Sequence, residues 1–213
     1  MTIAFGVACK DGVIVATDSL SQVHQPNGWI DVTFGRKIDV FGDRAAYVVS
    51  GHKPDEWAPG AHWARLPVLD LAEKMLGELA LFAGTPIDGR QPPQHLLLGV
   101  RSAENCALVL VGTDLELIQA KPGERPLIAG AMKDWADSAE VQFEPAPSTL
   151  ADALPYTIEC CRRYVREEWA GWGFERLEDF HIGEPGGYVP PSAPPYHVAI
   201  ITNNEIKTME VHQ

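Results

Sequence analysis

Bulky and small residues alternate from the third position of the chain. Ile3, Phe5 and Val7 face one way and Ala4, Gly6 and Ala8 the other, which predicts a strand with one bulky face and one very small face. Lys10-Asp11-Gly12 is a hairpin turn signal, and Val13 to Thr17 reads as the returning strand. The polar stretch SLSQVHQPNG then reads as a loop. A second hairpin follows, with RKIDVF and RAAYVVSG on either side of Gly42-Asp43.

The period then changes. PDEWAPGAHWA begins like a helix but is interrupted by Pro59 and Gly60. From Pro67, the residues Val68, Leu71, Ala72, Met75, Leu76, Leu79 and Phe82 recur at helical steps, and Gly84 and Pro86 stop them. HLLLGVR, CALVLVG and LELIQA return the chain to strands, with SAEN and GTD as turns. A short helix is expected near AMKDWADSAE. A longer one is expected from about Thr149 to Trp169, with Leu150, Leu154, Ile158, Cys161 and Val165 on one face and Pro155 at its first turn or at a kink. GEPGGYVPPSAPPY is too rich in Pro and Gly to be regular. HVAIITNNEIKTMEV closes the chain as a hairpin around Asn203-Asn204.

This order is hairpins, helix pair, strands, helix pair, hairpin, which does not suggest βαβ units. It predicts an α+β protein of one domain over residues 1–213: two antiparallel sheets face to face, with helices outside. The small face of the first strand suits close packing of sheet on sheet.

Bulk properties narrow the function. The 213 residues carry a formal net charge of −12, which argues against nucleic acid, since phosphate binding needs clustered Lys and Arg. Arg162, Arg163 and Arg166 read as one solvated helix face. No run of about 18 apolar residues is present, and the N-terminus does not read as a signal peptide, so neither a membrane nor secretion is expected and the location is expected to be cytoplasmic. Cys9, Cys106, Cys160 and Cys161 form no CxxC pair and read as buried thiols in a reducing compartment. The seven histidines are scattered, so no metal site or cofactor is expected.

One ordered set of residues carries chemistry. Thr2 stands at the head of the first strand. Asp11-Gly12, Thr17-Asp18-Ser19, Lys37-Ile38 and Ser50-Gly51 follow, with Asp18 sixteen residues after Thr2 and Gly51 fourteen after Lys37. The set resembles the start of proteasome β-type subunits and the related bacterial proteasome-like ring peptidases, which are N-terminal nucleophile hydrolases with an αββα sandwich. The VAIITNNEI hairpin resembles that family's C-terminal strand pair.

The resemblance implies a threonine endopeptidase with Thr2, Asp18, Lys37 and Gly51 as its catalytic residues. Removal of Met1 would give Thr2 a free α-amine, whose reference pKa of about 7.7–8.0 makes it a usable base for its own hydroxyl. A Lys37 ammonium would depress that pKa and favour the developing alkoxide, Asp18 would hold Lys37, and the Gly51 N–H would donate to the tetrahedral oxyanion. The resemblance also places Val49 in the main substrate pocket, with His52 and Lys53 just beyond. It implies hexameric or heptameric rings, stacked around a chamber, a polypeptide substrate and an unfoldase partner.

The match has gaps. Where the family has a serine near the nucleophile, LIAGAMKDWA offers Gly130 and Ala131. If Gly186-Gly187 is the family's later Gly pair, Ile182 and Pro185 take the places of its acid and serine. Asp179 and Ser192 are candidates by type only. Trp169, Trp172, Phe174, Phe180 and Tyr188 mark a stretch that shapes a subunit contact or cavity, or packs on its own domain. A second function class therefore stands beside the peptidase: a ring-forming scaffold without proteolysis, or an amidase acting on a small molecule.

Overall fold

A computed structural model of the chain describes residues 2–24, 30–51, 53, 57–82, 95–102, 105–112, 117–130, 143–180, 189–190 and 192–212. The first hairpin is β1 (Ile3–Cys9) with β2 (Gly12–Thr17), paired from Ala4↔Thr17 to Cys9↔Gly12. β10 (Leu127–Gly130) adds to the free side of β1, starting at Ile3↔Gly130. β11 (Tyr196–Ile201) adds to β2, and β12 (Ile206–Val211) closes that sheet as the partner of β11. The second large sheet runs β5 (Asp39–Phe41), β6 (Ala45–Ser50), β7 (His95–Arg101), β8 (Cys106–Gly112), β9 (Leu117–Gln119), each antiparallel to its neighbour. β3 (Leu20–His24) and β4 (Ile30–Phe34) form a separate two-stranded sheet.

The expected four-layer αββα sandwich is corrected here. The described residues make a mostly β molecule of twelve strands in three antiparallel sheets, with two α-helices, α1 (Val68–Phe82) and α2 (Leu150–Gly171). Part of the expected loop over residues 19–28 is instead β3, which supplies the third sheet. The described part of PDEWAPGAHWA, from Trp57 on, leads into a 3-10 turn, Ala61–Arg65, because Pro59 and Gly60 deny a longer helix its donor and its propensity. The helix expected over residues 131–140 lies outside the described residues. The expected helix pairs are therefore single α-helices among the described residues, α1 against β7 and β8, and α2 against β1 and β2.

Three apolar clusters hold these pieces. Phe5, Val7 and Ile3 pack with Tyr164, Val165, Trp169 and Phe143 under α2. Leu71, Met75, Leu76 and Leu79 of α1 pack on Tyr47, Leu96 and Leu98. The small face of β1 meets the other large sheet, where Ala4, Val13 and Val15 share a cluster with Ala46, Val48, Leu97 and Leu108. Closeness there depends on glycine. A Cβ on Gly6 would lie 2.8 Å from Leu108 Cδ2, and one on Gly99 would lie 2.8 Å from Ile201 Cδ1. Each large buried side chain such as Phe5 contributes on the order of 2–3 kcal/mol to this assembly.

α2 is tied to the first hairpin at its start. Leu150 N donates to Asp11 Oδ1 at 2.9 Å, so the turn residue that closes β1–β2 also satisfies one of the helix's open N–H groups. Its buried stripe is Ala153, Thr157, Cys160, Cys161, Tyr164, Val165, Glu168 and Trp169. Leu150, Leu154 and Ile158 are only partly buried, so this face is rotated from the one that the aliphatic residues alone predict.

Candidate functional site

Asp18 directly follows β2 and is fully buried. A buried carboxylate is costly unless it is paired and hydrogen-bonded. Lys37 Nζ lies 2.8 Å from both of its oxygens. Ile3 N donates to Oδ1 and Leu20 N to Oδ2, each at 3.1 Å. Thr17 Oγ1 donates to Ile3 O at 2.7 Å. The turn after β2 is thus locked to the backbone of Ile3, the residue next to Thr2.

Lys37 is brought in by the segment between β4 and β5. Its neighbour Ile38 is buried between the two large sheets, and Arg36 Nε donates to Ile38 O at 2.8 Å. Burial pushes the Lys37 amine below its ordinary range, while the charge and hydrogen bonds of Asp18 pull it back up. Thr2 itself is half-buried, immediately before β1.

Gly51 directly follows β6 with φ +98°, in the left-handed region that only glycine enters readily. β6 packs across the sheet interface on β1 and β2, and Val48 shares its cluster with Ala4. Val49 points to the other face, into the core beneath α1 with Tyr47 and Trp57. Lys53 Nζ lies 3.0 Å from Asp39 Oδ2 in a half-exposed ion pair. Met1, His52, Ala131, Ile182, Pro185, Gly186, Gly187 and Tyr188 lie outside the described residues.

Gly130 has a structural reason to lack a side chain. It pairs with Ile3, sits at φ +134°, and any Cβ there would collide with the Thr2 carbonyl oxygen. A serine at this position would therefore displace the Thr2 backbone.

The other two residues considered by type separate. Asp179 caps a 3-10 turn by accepting from Glu175 N at 3.0 Å and Arg176 N at 2.8 Å, which holds its carboxyl below the usual range. Ser192 is buried and donates through Oγ to Glu168 Oε2. Tyr164 OH donates to Glu168 Oε1 at 3.1 Å. Burial pushes the Glu168 carboxyl up to about 7, against the two hydroxyls, which pull it down. The charges of Glu168 and Lys37 act on one another, and those of Glu168 and Asp18 do too.

Glu168 was not among the residues that the sequence singled out. The signal was present: Ala153, Thr157, Cys161, Tyr164 and Glu168 follow at helical steps, but Thr157, Tyr164 and Glu168 carry polar groups and so do not register as an apolar stripe.

The aromatic stretch packs on its own chain where it is described. Trp169 meets Phe180 edge-on and Phe174 meets it tilted, with ring centroids 5.4 and 4.4 Å apart, while Trp172 is exposed. The cysteines are free, and burial raises Cys9 to about 12, Cys160 to about 11 and Cys161 further, so these thiols are poor nucleophiles. Among the described residues no helix is long and apolar enough to cross a membrane, and no group of three His, Cys, Asp or Glu side chains is placed to hold a metal ion.

No protein-family model matches the chain, and no curated protein matches its sequence.

Proposed function

We propose that the chain is a threonine hydrolase that cleaves amide bonds with Thr2 as nucleophile, acting on polypeptide substrates in the cytoplasm. The observation that carries this reading is the buried Asp18 carboxylate. It holds the Lys37 ammonium on both oxygens and the Ile3 N–H at the same time, which ties a buried cation to the backbone beside Thr2.

The chemistry follows from that placement. Once Met1 is removed, the α-amine of Thr2 takes the proton of its own hydroxyl as the oxygen attacks a substrate carbonyl. Lys37 disfavours a second positive charge on that amine and stabilises the developing alkoxide. The oxyanion that forms is met by the Gly51 N–H. Loss of a donor of that kind typically costs about 3 kcal/mol in the transition state. Collapse of the tetrahedral species expels the amine product with the proton held by the α-amine. An ester on Thr2 remains, and water, deprotonated by the same amine, hydrolyses it.

Assembly into stacked hexameric or heptameric rings, served by an unfoldase, belongs to the same proposal, because a threonine peptidase free in the cytosol would need confinement. The test is hydrolysis of a fluorogenic peptide panel by protein that has lost Met1, together with light scattering of the same sample. Cleavage that disappears in Thr2→Ala, from a particle of at least six chains, is the expected result. Cleavage that survives Thr2→Ala would overturn the assignment. Rings without cleavage would favour the scaffold instead, a reading that the missing hydroxyl at Gly130 supports.

A further inference from the structure

Among the described residues, Glu168 is the buried carboxylate near the proposed site that the reaction above does not use. Its surroundings are built for it. Both oxygens accept side-chain hydroxyls, Tyr164 from one turn earlier on α2 and Ser192 from the segment before β11. The Ser192 carbonyl accepts Trp169 Nε1 at 3.0 Å, so the same serine is held from both ends. The next carbonyl, that of Ala193, accepts Ser19 N at 3.1 Å and Ser19 Oγ at 3.4 Å. Ser19 is the neighbour of Asp18 and lies between the two residues, Asp18 and Leu20, whose own groups meet at the Asp18 carboxylate. Glu168, Ser192, Ala193, Ser19 and Asp18 are all buried, and they form a continuous path from α2 to Lys37.

We infer that Glu168 is a positioning residue for the Asp18–Lys37 pair: by fixing Ser192 it holds the 192–193 backbone against Ser19, and so sets the carboxylate that carries the Lys37 ammonium. In its ionised form Glu168 accepts from Tyr164 and Ser192 with no donor of its own left to satisfy, which an amide cannot do. The charge of Glu168 also favours the protonated form of Lys37, in the same sense as Asp18. This inference rests on the proposed threonine hydrolase for its catalytic consequence, but not for its effect on Lys37.

The test therefore has two readouts on the full chain, in wild type, Glu168→Gln, Ser192→Ala and the double variant. The first is the Lys37 side-chain 13Cε resonance in lysine-labelled protein, assigned with Lys37→Arg. The second is the rate at which a peptide epoxyketone adds to the protein, measured against inhibitor concentration. Glu168→Gln and Ser192→Ala should each move the Lys37 resonance and slow the saturated rate of addition about tenfold or more, with the half-saturating concentration unchanged. The double variant should be no slower than either single one, because the two residues act in series. If Glu168→Gln does not fold, Ser192→Ala carries both readouts. A Lys37 resonance and addition rate unchanged in a folded variant would overturn the inference. Absence of addition in wild type would defeat the hydrolase reading alone, and the Lys37 resonance would still decide the role of Glu168.

Discussion

At the scale of residues, the molecule is organised around two buried carboxylates in different states. Asp18 is compensated by a cation and two backbone donors. Removing the cation leaves a buried charge alone, so Lys37→Ala should destabilise the fold by about 3–5 kcal/mol in urea unfolding. A double replacement, Asp18→Asn with Lys37→Met, should cost less than that single change. Equal stability of Lys37→Ala and wild type would contradict the pair as described. Glu168 accepts from two hydroxyls, those of Tyr164 and Ser192, and has no cation at hydrogen-bond distance among the described ion pairs. Its folded carboxyl titrates near 7, against an ordinary value of 4.5. Between those two values the folded chain keeps a proton that the unfolded chain has lost. The contribution of Glu168 is therefore full below pH 4.5 and is lost as pH rises through 7. Relative to Glu168→Gln, wild type should lose about 3 kcal/mol of stability between pH 4 and pH 8. Parallel pH profiles for the two proteins would contradict this. The two residues also differ in how well the sequence announced them. The pairing of Asp18 with Lys37 was expected because the two residues stand in the order and spacing of the family that the start of the chain resembles. Glu168 was not, because its hydrogen-bond partner Ser192 lies 24 residues further along the chain.

At the scale of elements, the hairpins were the most legible part of the chain. β1–β2, β5–β6 and β11–β12 each combine an apolar run with a turn that few residues can make. β3 and β4 were not legible, since Leu-Ser-Gln-Val-His alternates weakly and forms a strand only through its pairing with Ile30–Phe34. The small face of β1 has a consequence that can be measured. Gly6 offers a would-be Cβ only 2.8 Å from one Leu108 methyl carbon and 3.0 Å from a Leu97 methyl carbon. Gly6→Val should therefore force the two large sheets apart and destabilise the protein by about 1–3 kcal/mol, read as a lower urea midpoint. A midpoint unchanged from wild type would mean that the sheets are not packed this closely.

At the scale of the whole molecule, the candidate site is where five stretches of chain meet: the start of β1, the turn after β2, the segment before β5, the buried face of α2 and residues 192–193. The end of β10 closes against the same backbone at Gly130. The overall layering differs from expectation because Pro59 and Gly60 reduce one expected helix to a 3-10 turn, and because part of the stretch that reads as a loop is β3 of a third sheet. The hydrogen bonds of Asp18 to Lys37, Ile3 and Leu20 stand apart from that difference, since none of them involves a helix. The central claim is that Thr2 is the nucleophile. The most direct measurement is the intact mass of purified protein after incubation with a peptide epoxyketone, a warhead that needs both the threonine hydroxyl and its own free α-amine. The expected result is a species that lacks Met1 and carries one inhibitor, with the adduct absent in Thr2→Ala. Protein that has lost Met1 and still forms no adduct would contradict it.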